Sequence, residues 1–149
     1  MQLQGTQVIA APVPAVWAAL NDPAVLQACT PGCKQLTATG EDSFAAVLEL
    51  GIAAIKGQYK GSLQIAEKQA PVAYRLMIRG EGGPGFVSSS LLISLAEHEQ
   101  GTLLTYEGTA DVGGTIARVG QRVLGGVAKL LMGQFFSALA GQVEQWVGS

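Results

Sequence analysis

Few side chains in this chain of 149 residues are equipped for chemistry. The one histidine, His98, lies in Glu97-His98-Glu99, between apolar strand patterns, and reads as a solvated turn residue. A serine or cysteine nucleophile needs a nearby base and a group that orients it. With one histidine in a turn, no Ser-His-Asp or Cys-His arrangement is expected. Cys29, Cys33 and His98 are too few for a zinc site built on several Cys or His ligands. Cys29-Thr30-Pro31-Gly32-Cys33 lacks the spacing of a redox C-x-x-C pair, and both thiols read as small buried hydrophobes. Gly80-x-Gly82-Gly83-x-Gly85 superficially resembles a phosphate-binding loop. It joins two strands, so no helix N-terminus faces a phosphate, and it reads as a flexible hairpin loop. Glu49 and Glu107 fall on outward strand positions, which gives a glycosidase-type carboxylate pair no support. What remains is Tyr59, Tyr74 and Tyr106, three phenols on inward strand positions, each able to hydrogen-bond an otherwise apolar molecule.

The elements that must position these phenols are legible from periodicity. Met1 to Ala10 reads as an edge strand. Ala11-Pro12-Val13-Pro14 suits a helix entrance, and Ala15 to Leu20 a short helix. Asp22 can cap a second short helix with Pro23 at its first position, stopped by Pro31-Gly32. After Cys33 the period changes to two. Phe44, Ala46, Leu48 and Leu50 alternate with Ala45, Val47 and Glu49. Ile55, Gly57, Tyr59, Gly61, Leu63 and Ile65 then oppose Lys56, Gln58, Lys60, Ser62 and Gln64. Strict alternation of this kind marks half-buried antiparallel strands. Tyr74 to Arg79, Val87 to Leu95 and Leu104 to Val112 repeat it, joined by short turns.

From Gly114 to Val147 the pattern is helical, with no proline. Ile116, Val119, Val123, Val127, Leu130, Leu131 and Phe135 share one stripe, with Arg118, Arg122 and Lys129 opposite. Beyond Gly133 the apolar direction rotates to Met132, Phe136, Leu139, Val143 and Trp146. The helix is therefore expected either to bend near Gly133 or to present this second set to a partner. The order predicts a single α+β domain over residues 1–149, with a curved antiparallel sheet gripping a long C-terminal helix and two short helices after strand one.

Composition narrows the function classes. Apolar residues make up 48% and charged residues 13%, and the mean hydropathy is +0.31. That charged share is about half the usual one. No window reaches the roughly 18 apolar residues of a membrane span. The net charge is −2 with no basic stripe, which argues against nucleic acid as a partner. Residues 112–149 nevertheless carry +2 against −4 for the remainder. No signal-peptide pattern opens the chain, so a cytoplasmic location is expected.

The apolar surplus sits beside an excess of glycine. Gly57, Gly61 and Gly108 fall on inward strand positions, and Gly120, Gly125, Gly126, Gly133 and Gly141 in the helical segment. Each helix-interior glycine costs about 1 kcal/mol against alanine. Two explanations stay open: close helix–sheet approach with tight sheet coiling, or a void between helix and sheet that admits a mostly apolar molecule. The expected lining of such a void is Trp17, Phe44, Tyr59, Leu63, Tyr74, Phe86, Leu91, Tyr106, Val123, Val127, Leu131 and Phe135.

Longer motifs carry a resemblance. Ile9-Ala10-Ala11-Pro12-x-x-x-Val16-Trp17-Ala18-Ala19-Leu20-Asn21-Asp22-Pro23 is similar to the opening of the START-like, polyketide-cyclase-like (SRPBCC) superfamily. Leu26-x-Ala28-Cys29-Thr30-Pro31-Gly32-Cys33 resembles a segment of the CoxG proteins of carbon monoxide dehydrogenase. So do Lys56-Gly57-x-Tyr59-Lys60-Gly61, Gly80 to Phe86, Thr105-Tyr106-Glu107 with Val112-Gly113-Gly114, and Ala117-x-x-Gly120-x-Arg122 with Phe135-Phe136. The resemblance implies a helix-grip fold of seven strands around an apolar cavity. It implies no catalytic residues, no intrinsic cofactor and no metal. It also implies an accessory role beside a molybdenum hydroxylase of the carbon monoxide dehydrogenase type. The ligand would be a hydrophobic small molecule such as a quinone or lipid, handled at the inner face of the cytoplasmic membrane. Longer members carry a further apolar tail. This sequence ends at Ser149, so permanent anchoring is not expected.

Two rivals accompany that reading. Phe136, Leu139, Val143 and Trp146 could form a homodimer, partner or peripheral membrane surface without any internal ligand. Alternatively, the superfamily includes polyketide cyclase- and hydrolase-like enzymes, for which tyrosines and ordered water would supply acid–base chemistry.

Overall fold

The computed structural model describes residues 1–52 and 55–148. The chain opens with strand β1 (Gln2–Ile9). Helix α1 (Val13–Leu20) follows, with Pro12 at its N-cap and Pro14 in its first turn, where missing N–H groups cost nothing. The Asp22 carboxylate accepts from the Ala24 N–H at 2.9 Å and caps helix α2 (Pro23–Cys29). Six strands come next: β2 (Cys33–Gly40), β3 (Ser43–Leu50), β4 (Gly57–Gln69), β5 (Ala73–Gly82), β6 (Gly85–His98) and β7 (Gly101–Gly113). The chain closes with a 3₁₀ turn (Thr115–Val119) and helix α3 (Gln121–Gly148).

All seven strands form one antiparallel sheet in the order β1-β7-β6-β5-β4-β3-β2. Strands β2 to β7 are a meander, and α1 and α2 carry the chain from one sheet edge to the other. Helix α3 lies over the inner face and packs most closely against β1, α1 and α2. This is the expected helix-grip architecture. The main core joins Leu20, Leu91, Ile93 and Leu104 to Phe136, Leu139 and Val143. A smaller cluster of Ile55, Ile116 and Leu124 closes the other end of the helix.

Several expectations need correction. The glycine-rich segment after Arg79 is no long loop: β5 runs to Gly82 and β6 starts at Gly85, leaving a tight turn at Gly83-Pro84. Gly85, with φ +145°, lies so near the Gly113 carbonyl that no side chain fits, so glycine serves the turn rather than mobility. Ile55 precedes β4 instead of belonging to it, and β4 continues to Gln69. The C-terminal helical segment is interrupted at Gly120, whose φ of +92° separates the 3₁₀ turn from α3.

The faces of α3 are also redistributed. Helix α3 is continuous through Gly133. Phe136, Leu139 and Val143, expected to meet a partner, are at most 4% exposed and belong to the core. Only Trp146 of that set is exposed, whereas Val119, Val123 and Leu130 of the expected core stripe are the surface residues. With its glycines, the stretch Gln121–Val147 is long and apolar enough to cross a membrane by length and composition, with mean hydropathy 1.5, contrary to the expectation from runs of apolar residues alone.

Candidate functional site

Side-chain alternation places a gap beneath α3. Gly61 on β4 pairs with Gly80 on β5, and both face inward. A Cβ on Gly61 would stand 2.7 Å from the Arg79 carbonyl oxygen, so glycine is required there for close strand approach. Gly108 is tighter still, since a Cβ would overlap the Ser90 carbonyl oxygen. At Gly80 a Cβ would make only ordinary contact, 3.5 Å from Val87. The glycine pair therefore leaves the sheet bare of side chains where Leu63 and Ile78 lie one pleat away. Nothing lies within 4 Å of a Cβ at Gly125, Gly126, Gly133 or Gly141, so the helical glycines do not serve helix–sheet contact. The two explanations for the glycines thus divide between the elements: close backbone approach in the sheet, open space along the helix.

Two apolar chambers occupy the gap. The first, about 210 Å³, lies toward α1 and α2 and is bordered by Leu20, Leu26, Leu36, Leu63, Tyr74 and Phe135, among others. The second, about 250 Å³, lies toward Ile55, Tyr59, Ile116, Leu124 and Val127. They share Leu48, Leu50, Ile78, Leu91, Leu131 and Met132 as walls. Each exceeds the roughly 150 Å³ that lets an apolar cavity admit a benzene ring.

The structure divides the twelve expected lining residues. Leu63, Tyr74 and Phe135 border the first chamber, Tyr59 and Val127 the second, and Leu91 and Leu131 both. Trp17, Phe44 and Tyr106 belong to the main core packing but border neither chamber. Trp17 meets Tyr74 edge-on, and Tyr106 stacks on Phe136 with centroids 4.7 Å apart. Phe86 and Val123 correct the expectation outright, being 52% and 47% exposed. Phe86 packs across Gly113 on the outer face of the sheet, and Val123 lies on the outward side of α3. Met132, Leu48, Leu50 and Ile78 were missed. Their strand parity marked the last three as inward, but only α3's placement turns inward positions into cavity wall.

The polar groups at the walls are few. The Tyr59 hydroxyl donates to the Ile55 carbonyl at 2.6 Å, and burial pushes its ionisation up. Tyr74 is 2% exposed, and burial raises its ionisation strongly, holding it as a neutral phenol. Its hydroxyl has no hydrogen-bond partner among the described residues. Cys33 borders the first chamber and Cys29 is buried beside it; burial raises both thiols, so neither is primed as a thiolate. Among the described residues, no three of His, Cys, Asp and Glu gather to hold a metal ion.

The model of one family, the CoxG proteins of carbon monoxide dehydrogenase, matches residues 5–144. Among curated proteins the chain has no match. It is similar to a conserved protein of Geobacillus kaustophilus whose crystal structure superposes with a TM-score of 0.94 at 41% identity, covering 97% of this chain and 96% of that one. A START superfamily protein of Mycobacterium smegmatis shares the fold at 14% identity, with a TM-score of 0.76 over 97% and 98% of the two chains. A protein of Chromobacterium violaceum does so at 18% identity and a TM-score of 0.72, over 96% and 97%.

Proposed function

The chain belongs to the carbon monoxide dehydrogenase CoxG family, and from that premise we propose that it is a non-catalytic accessory protein that holds a hydrophobic molecule between α3 and the sheet. One observation carries this reading: Tyr74 presents a buried, unpartnered phenol at the wall of an otherwise apolar cavity. An unmet buried donor is costly in a finished core and useful where a ligand completes it. The absence of an activated thiol or assembled metal-ligand cluster among the described residues supports a carrier over an enzyme. The quinone- or lipid-like molecule is delivered to, or taken from, a molybdenum hydroxylase of the carbon monoxide dehydrogenase type. The work is done in the cytoplasm at the inner face of the membrane.

The outward side of α3 favours a contact surface in addition. Val123 and Leu130 are exposed there, with Arg122 and Lys129 beside them. An apolar ridge edged by cations suits an anionic membrane surface.

Native mass spectrometry and solvent extraction of the full chain purified without detergent test the carrier reading. A co-purifying apolar molecule, or stoichiometric uptake of a neutral apolar dye, is expected. A chain that arrives empty and takes up no dye would sink it.

A further inference from the structure

We infer that Tyr74 reads the head of the cavity's ligand, which is an uncharged molecule with a hydrogen-bond acceptor at one end and an apolar remainder. This rests on the carrier reading and adds to it the ligand's chemical class, its orientation and the residue that selects it.

Elimination identifies the phenol. Five residues with polar groups border the first chamber: Thr30, Cys33, Ser62, Tyr74 and Arg79. The Thr30 hydroxyl donates to the Leu26 carbonyl at 2.6 Å, and the Cys33 thiol to the Gln35 carbonyl at 3.5 Å. Ser62 and Arg79 pair with each other across β4 and β5, one residue off the inward Gly61–Gly80 pair, so both side chains leave by the outer face. That leaves Tyr74. In the second chamber the Tyr59 hydroxyl is engaged by Ile55 and the Ser89 hydroxyl donates to the Thr109 carbonyl at 2.9 Å. The two chambers together therefore offer one free donor, at the α1–α2 end.

Charge decides the rest. Arg79 is the one charged residue bordering either chamber among the described residues, and its side chain points to the outer face. An ionised carboxylate or phosphate inside would lie in apolar surroundings with no counter-charge, which is prohibitive. A ketone, quinone or ester oxygen can accept from Tyr74 while remaining neutral. The apolar remainder then runs past Leu131 and Met132, which border both chambers, into the second one.

The test uses the full chain and three probes of equal length, 2-undecanone, undecane and undecanoate at pH 7, each competing with a neutral environment-sensitive dye. The wild type is expected to favour the ketone over the alkane by about tenfold, the value of one buried hydrogen bond, and to bind undecanoate more weakly than the ketone. Tyr74→Phe is expected to erase the ketone preference and retain alkane binding, while Tyr106→Phe, the same change outside the chambers, keeps it. The carbonyl stretch of the ketone bound to wild type gives a second readout, shifted to lower wavenumber by the phenol, that needs no variant to fold. A preference that survives Tyr74→Phe, an unshifted carbonyl stretch, or undecanoate binding as tightly as the ketone would overturn the inference and leave the carrier reading intact. Failure of both ketone and alkane to bind the wild type would overturn the carrier reading itself, and this inference with it.

Discussion

The Trp17 ring meets the Tyr74 ring edge-on, with centroids 5.6 Å apart and planes at 78°. This pair joins α1 to β5 at the α1–α2 end of the first chamber. Edge-to-face contacts contribute about 0.5–1.5 kcal/mol beyond burial. Trp17 also limits the freedom of the phenol it touches. Trp17→Ala is expected to cost about 3 kcal/mol of stability in urea unfolding, and to weaken ketone binding more than alkane binding. Equal weakening of both probes would show that Trp17 does not position Tyr74.

Filling the gap from its floor separates ligand uptake from stability. Gly80→Val adds a side chain where only ordinary contact with Val87 awaits it. It is expected to cut dye uptake at least tenfold with little loss of melting temperature. Gly61→Val, opposite it, meets the Arg79 carbonyl and is expected to destabilise by about 1–3 kcal/mol, the usual cost of forcing bulk into a packed site. Thermal melts beside dye titrations read both outcomes.

The open glycines of α3 predict the reverse sign. A Cβ at Gly126 or Gly133 meets nothing within 4 Å, so alanine there gains helix propensity without a clash. Each change is expected to add about 1 kcal/mol, or roughly 2–4 °C in melting temperature for a chain of this size. An unchanged or lower melting temperature would show that these positions are used for something other than helix stability.

Alkaline pH is expected to expose the buried acids. The folded pKa of Tyr74 is raised above its ordinary 10.0, and those of Cys29 and Cys33 above their ordinary 9.0. Groups shifted upward contribute stability that is intact below the unfolded pKa and lost as pH rises toward the folded one. Stability is thus expected to hold to about pH 8.5, then fall as the thiols and next the phenol ionise in the unfolded chain. Tyr74→Phe should flatten the limb above pH 10. Phenolate absorbance that reports Tyr74 ionising while the chain is still folded would contradict the burial argument.

Thr102 is the buried polar side chain that ties β7 to the start of α1. It is fully buried, and its hydroxyl donates to the Ala11 carbonyl at 2.7 Å. Thr102→Val keeps the shape and leaves that carbonyl unmet, for an expected loss of about 1–2 kcal/mol in urea unfolding. Dye uptake should be unaffected, because Thr102 borders neither chamber.

The sequence by itself determined the order of elements, the parity of each strand and the helix-grip architecture. Those features are local: a period of two, a proline at a helix entrance, Asp22 before Pro23, all readable within a few residues. It also determined that Tyr59, Tyr74 and Tyr106 face inward. Tertiary structure decided what inward means for each. The three phenols share a parity, yet one is engaged by Ile55, one is stacked on Phe136 outside the chambers, and one is left with an unpaired hydroxyl in the cavity wall. The faces of α3 could not be read because the helix is apolar or small almost all round, so no periodicity selects Phe136 over Val123. Where α3 docks on β1, α1 and α2 makes that choice. The cavity is the distance that docking leaves above Gly61 and Gly80, a property of two packed layers that neither layer's sequence contains.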